Sequence, residues 1–217
     1  MTKPPIKGAS IAHPREGDRL FAPSAARNAD AITTLLTTLA PPTGIALEIA
    51  SGTGQHIVQF ARELPNITWQ PTEADESRLA SIASYQTEAN LPNLAAPQLL
   101  DATTPGWSEK HAPKDLIFLA NLLHLISTPS AKTLIAEAAK TLAPNGQFVI
   151  YGPFMRNGKL TSPGDAQFHK SLTDQDPDIG YKDVQSIIAT AQTVGLAHVQ
   201  THDLPANNLA LRFRTAS

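Results

Sequence analysis

A chain of 217 residues that is 41% hydrophobic can bury one substantial core, and its length needs no second domain. It has no cysteine, which excludes disulfides, thiolate metal sites and a cysteine nucleophile, and no run approaches the roughly 20 apolar residues of a membrane span. The net charge of -2, with lysines and arginines scattered, leaves no basic stripe for tracking nucleic acid, so the expectation is a soluble, cytoplasmic protein that binds neither nucleic acid nor membrane.

Residues 1–18 are polar, proline-bearing and without periodicity, which predicts a flexible start. Residues 19–217 then read as a single domain. A helix follows in which Ile32, Leu35, Leu36 and Leu39 recur at helical spacing, with Ser24 after Pro23 as its expected N-cap. Ile45 to Phe60 is the organising stretch. An apolar strand passes through Ser51-Gly52-Thr53-Gly54 into a helix with Ile57, Phe60 and Ala61 on one face. Glycines at a strand's carboxyl end let the backbone turn sharply and let a ligand approach it. A dinucleotide fingerprint needs a third glycine, but Ile57 holds that position. Glu48 stands in the strand four residues before Gly52.

A second strand, Ile67 to Gln70, leads to Glu73. This carboxylate stands 19 residues after Gly54, close to the roughly 20-residue distance at which an acid meets ribose hydroxyls in nucleotide-binding βαβ units. Asp75 competes for that role but also suits the N-cap of the next helix. Pro97 to Thr103 reads as a short strand ending at Asp101, which either serves a ligand or forms an Asx turn. Trp107 either flanks that ligand or plugs the sheet edge. Asp115 to His124 is the most apolar strand, with polar Asn121 and His124 at its carboxyl end, where ligands collect in open α/β sheets. His124 is either a general base or a satisfied structural imidazole.

Asn145-Gly146 signals a turn before the strand Gln147 to Tyr151. Tyr151 either aims its phenol over the cleft or packs with its hydroxyl at the rim. A long polar connection, about 152–180, reads as a substrate-facing insertion with a turn or two of helix around Ala166 to Leu172. A helix from Asp183 stops at Gly195, and two strand-like runs, 197–204 and 209–213, close the chain as an antiparallel hairpin.

Strand, E-x-x-x-G-x-G turn and helix resemble the first motif of class I S-adenosylmethionine-dependent methyltransferases. RLFAPSAARN, LEIASGTGQH, WQPTEAD, NLLHLI, YGPF and LPANNLALRFR together are similar to one branch of them, the DUF938 or methyltransferase-like 26 group. The resemblance implies an α/β fold, a doubly wound, mostly parallel seven-stranded sheet with an antiparallel C-terminal hairpin. It implies S-adenosylmethionine as cofactor, with Glu48, Ala50, Gly52 and Gly54 at its methionine part, Glu73 at its ribose and Asp101 with Ala102 at its adenine. Asn121, as a further cofactor contact, and His124 would stand near the methyl group, with Tyr151 on the acceptor side, His124 and Tyr151 as the catalytic residues. Arg19, Phe21, Arg27, Asn28 and Asn208 would face the acceptor, although Phe21 and the arginines serve equally as a helix staple and solvated caps. An arginine there implies a small anionic metabolite, carboxylated or phosphorylated. No tyrosine has the lysine four residues on that a short-chain dehydrogenase needs, and no histidines are paired at metal-ligand spacing. The rival reading is a noncatalytic module of the same fold that binds the cofactor or a partner chain.

Overall fold

The computed structural model describes residues 11–215. In chain order its elements are β1 (His13–Pro14), β2 (Leu20–Phe21), α1 (Pro23–Leu39), β3 (Gly44–Ile49), α2 (Gln55–Glu63), β4 (Ile67–Glu73), α3 (Glu76–Ala89), β5 (Gln98–Leu99) and α4 (Ser108–His111). There follow β6 (Lys114–Ala120), a 3-10 turn (Leu123–Leu125), α5 (Thr128–Thr141), β7 (Leu142–Met155), α6 (Pro163–Thr173), β8 (Lys182–Asp183), α7 (Val184–Thr193), β9 (Leu196–Leu204) and β10 (Asn208–Thr215). The main sheet runs β5-β4-β3-β6-β7-β10-β9, with two-residue β8 added at the far end of β7. Neighbours from β5 to β7 pair in parallel, and β10 is antiparallel to both β7 and β9.

Side chains alternate across this sheet and build a core on each face. Ala46, Leu116 and Phe118 face α1 and α2, against Ile32, Leu36 and Phe60. Leu47, Ile117 and Leu119 face α5 and α7, against Leu134, Ile135 and Ile187. Each fully buried leucine or isoleucine contributes about 1.5–3 kcal/mol. Ile32, Leu36 and Leu39 thereby fasten α1, and Gln147 Nε2 donates to the Leu39 carbonyl at its last turn (2.9 Å). The helix that carries Arg27 and Asn28 is therefore anchored at its far end.

Several boundaries differ from expectation. Residues 1–10 of the predicted flexible start lie outside the described residues, whereas His13–Pro14 pairs antiparallel with Leu20–Phe21. Helix α1 is capped at Ala22 with no side-chain cap, because Pro23 takes the first helical position, so Ser24 lies inside the helix. The predicted third strand shrinks to the edge pair Gln98–Leu99, with Leu99 60% exposed. β6 ends at Ala120, short of His124, because Asn121 adopts a left-handed conformation (φ 55°).

Asn145-Gly146 is no chain reversal. It sits in an irregular stretch within the 14-residue β7, where pairing steps from Lys114↔Leu142 to Leu116↔Gln147. A Cβ at Gly146 would lie 2.8 Å from the Ala143 carbonyl oxygen, so the close backbone approach requires glycine. The region 152–180 holds more order than a loop. β7 continues to Met155, and α6 is an 11-residue helix capped by Ser162.

Candidate functional site

The strand order reverses between β3 and β6, the place where open α/β sheets gather ligands at their carboxyl ends. Two non-glycine residues in the left-handed conformation flank this point, Ala50 after β3 (φ 55°) and Asn121 after β6 (φ 55°). Such strain, about 1–2 kcal/mol for each residue with a Cβ, concentrates at functional sites. A cleft of about 930 Å³ opens here, lined by Ala50, Gly52, Glu73, Asn121, His124 and Tyr151 among others.

The glycine turn is held from below and from the side. Glu73, at the end of β4, accepts from the Gly52 amide through Oε2 (2.8 Å) and from the Ala74 amide through Oε1 (2.8 Å). Burial pushes its carboxyl upward, opposed by these amides and by Arg78. Gln55 Oε1 accepts from Thr53 Oγ1 (2.9 Å) and from the Ala22 amide (2.6 Å), tying the entry of α1 to the turn.

The two glycines differ in role. A Cβ on Gly52 (φ +61°) would meet only Arg78 Nη1 at 3.7 Å, whereas one on Gly54 (φ +92°) would stand 3.0 Å from the Ile82 Cα in α3. Gly54 does not line the cleft; it lets the start of α2 approach α3. Gly54→Ala is therefore expected to cost about 2 kcal/mol or more of unfolding free energy, against about 1 kcal/mol for Gly52→Ala. Urea denaturation measures both, and equal losses would show that α3 yields to the methyl group.

Beneath the turn lies Glu48, only 2% exposed. Burial, with some repulsion from Glu73, raises its carboxyl to about 8, so it is mostly the neutral acid at pH 7. Its Oε2 and the Ser51 Oγ find no other hydrogen-bond partner among the described residues, and the Ser51 hydroxyl pulls the carboxyl back down in part.

Beside the turn, His56 Nε2 and Asn28 Oδ1 are 2.8 Å apart, and the Asn28 side chain also reaches the Tyr151 hydroxyl. His56 stacks on Phe60 (5.7 Å, 5°), and burial lowers its imidazole to about 4. His124 sits on the 3-10 turn, where burial, reinforced by the Lys182 cation, lowers it to about 3. Both rings are neutral at pH 7.

Of the residues singled out from sequence, Ala50, Gly52, Glu73, Asn121, His124, Tyr151, Arg27, Asn28 and Asn208 are brought together around this cleft. Others are not. Arg19 is engaged by Glu88 and by Glu16 (3.2 Å), and Phe21 packs under the Arg15 guanidinium (4.5 Å). Asp101 is exposed and closes an Asx turn, accepting from the Thr103 amide (2.9 Å) and Oγ1 (2.6 Å). Ala102 is buried, and its carbonyl accepts from Trp107 Nε1 (3.2 Å), which makes Trp107 a plug of the core. Neither Asp101 nor Ala102 lines the cleft, and Glu48 lies buried beneath its floor and does not line it.

Sequence reasoning missed Gln55, His56, Arg78, Phe168 and Tyr181, all of which line it. Gln55 and His56 were legible as the first polar residues after the glycine turn. Phe168 and Tyr181 gave no signal beyond being aromatics in a polar stretch. Among the described residues, no group of three or more potential ligands could hold a metal ion, and no helix is long and apolar enough to cross a membrane.

This sheet order, with a glycine turn at the switch point and an antiparallel last strand, is that of the class I methyltransferase-like, Rossmann-like proteins. The chain belongs to the family described as "Protein of unknown function (DUF938)", whose model matches residues 19–215. A curated tRNA (guanine-N(7)-)-methyltransferase of Lactiplantibacillus plantarum is 28% identical over 114 residues, half of this chain and 53% of that protein. An O-methyltransferase family 2 protein from Planctomyces limnophilus, in complex with apigenin, superposes with a TM-score of 0.74 at 17% identity, over 89% of this chain and 60% of that one. Human N-acetylserotonin methyltransferase in complex with S-adenosylmethionine gives 0.70 at 13%, over 89% and 53%. The chain thus spans about half to three-fifths of the length of these proteins.

Proposed function

We propose that the cleft binds S-adenosylmethionine and directs its methyl group to a small-molecule acceptor. The observation that carries this reading is the glycine turn at the sheet's switch point, with Gly52 lining the cleft and the buried Glu48 carboxyl beneath it. The donor set fits the cofactor. The Ala50–Gly52 turn and Glu48 would hold the methionine part, its ammonium beside the carboxyl. Glu73 would meet the ribose, since a carboxylate accepts both hydrogens of a vicinal diol. The geometry lends no support to an adenine role for Asp101.

When bound, this cofactor supplies an electrophilic methyl carried on a sulfonium sulfur. The residues of the chain position and desolvate. Asn121 and Tyr151 stand at the ends of β6 and along β7 to orient the acceptor, and α1 covers the cleft through Asn28. A His124 held at about 3 is a poor proton acceptor, so it orients by hydrogen bonding more than it abstracts a proton. Arg27, exposed on α1, gives the acceptor side a cation and suits an anionic group at the rim. The tRNA methyltransferase likeness supports a nucleic-acid acceptor instead. The small-molecule reading is preferred because, among the described residues, the charged ones lining the cleft are Arg27, Glu73 and Arg78.

The deciding experiment is calorimetric titration with S-adenosylhomocysteine and S-adenosylmethionine, with NAD as control. Saturable one-site binding of the first two alone is expected, and binding of none would leave the noncatalytic reading. Once an acceptor is in hand, His124→Gln is expected to leave S-adenosylhomocysteine affinity unchanged and to slow turnover by less than the roughly 100-fold that loss of a general base costs.

A further inference from the structure

One wall of the cleft has no part in holding the cofactor as described above. It is built from His124 on the 3-10 turn, Phe168 on α6 and Tyr181 just before β8. The three rings pack edge to face, His124 to Phe168 at 5.6 Å, His124 to Tyr181 at 6.1 Å and Phe168 to Tyr181 at 6.1 Å. The Gly180 amide donates to the His124 carbonyl (3.0 Å), which joins the insertion to the 3-10 turn that follows β6.

The polar groups that could have made this wall charged or hydroxylated are engaged elsewhere. The Tyr181 hydroxyl donates to Asp165 Oδ1 (3.2 Å), and Asp165 also accepts from Thr161 (2.7 Å), Ser162 (2.7 Å) and Asn207 (3.1 Å). Tyr181 is thereby held by its oxygen and offers its ring. Lys182 Nζ donates to the Ile126 and Gly180 carbonyls (2.8 and 2.9 Å). Among the described residues, the charged ones that line the cleft, Arg27, Glu73 and Arg78, come from α1, β4 and α3, and none comes from this wall. Burial keeps the His124 imidazole neutral, so apart from the engaged Tyr181 hydroxyl the wall's polar atoms are the two nitrogens of an uncharged ring.

We infer that this wall is the acceptor subsite and that it takes the ring of a small aromatic molecule. The inference rests on the methyltransfer reading of the cleft. A rigid set of neutral rings rewards a planar π-system by offset or edge contacts beyond the area buried. A sugar or a polyol needs many hydrogen-bond partners, and the wall supplies one imidazole. An anionic substituent on such a ring would extend to Arg27 at the rim, where the exposed guanidinium sits.

The test compares 2-naphthol with decahydro-2-naphthol, which has the same carbon skeleton and hydroxyl but no π-system, on protein saturated with S-adenosylhomocysteine. Dissociation constants are read by ligand-observed NMR. The aromatic compound is expected to bind roughly two- to ten-fold more tightly. Phe168→Leu is expected to erase that preference while leaving S-adenosylhomocysteine affinity unchanged. Equal binding of the two compounds, binding of neither, or a preference that survives in Phe168→Leu overturns the assignment. If S-adenosylhomocysteine itself does not bind, the cofactor reading fails separately, and the same pair measured on the unliganded protein still decides the ring subsite.

Discussion

Replacing Glu73 by Ala is expected to weaken S-adenosylhomocysteine binding by about 1–3 kcal/mol, roughly 5- to 150-fold in Kd. Two losses act together. The ribose hydroxyls would lose their acceptor, and the Gly52 and Ala74 amides would lose the carboxylate that now holds them. Calorimetry gives the Kd, and a parallel urea titration separates a loosened turn from a lost ligand contact. Glu73→Gln, which keeps one acceptor oxygen, is expected to fall between wild type and Ala. An unchanged Kd in Glu73→Ala removes the ribose assignment.

The second large effect concerns Glu48. Its folded value of about 8 lies above the ordinary carboxylate value of 4.5, so the folded state binds the proton more tightly than the unfolded chain does. Stability from this group is fully present below pH 4.5 and is lost as pH rises toward 8. The loss is on the order of 4 kcal/mol across that window. Glu48→Gln mimics the protonated acid and is expected to flatten this part of the curve of unfolding free energy against pH. A wild-type curve already flat between pH 5 and 8 would mean that Glu48 is ionised in the folded state. If a ligand ammonium pairs with Glu48, binding near pH 7 should release a proton. Titration in two buffers of different ionisation enthalpy reads that release, and Glu48→Gln should abolish it.

The central βαβ unit was legible because two independent periodicities meet at Gly52 to Gly54. An apolar run alternates between both faces of the sheet, and Ile57, Phe60 and Ala61 follow at helical spacing and are all buried. The end of β6 is not legible in the sequence because Leu122, Leu123 and Leu125 continue the apolar run after Asn121 turns the backbone left-handed, a change that composition does not register. At β7, Asn145 takes a positive φ of 63° as a turn residue does, yet parallel pairing to β6 carries the strand through it. Helix α6 was seen only as a turn or two because its buried residues are Asp165 and Leu172 alone, too few for an apolar stripe. In the site, Asp101 illustrates a local choice beating a distant one, since Thr103 two residues on supplies both donors its carboxylate takes. The couplings Asn28 to His56 and Ala22 to Gln55 span 28 and 33 residues, distances at which a single sequence carries no pairing signal.

The position of β10 sets an order of assembly. β9 comes first along the chain but has β10 as its partner in the sheet, and β10 in turn must lie against β7. Without the residues after Leu204, β9 would have no strand partner in the sheet. That strand gains its place when the residues made after it slide in beside β7 and bring it along as the outer arm of a hairpin. Asn207 and Asn208, at that hairpin's turn, reach Asp165 and the cleft, so this corner of the cleft takes shape only once β10 lies against β7.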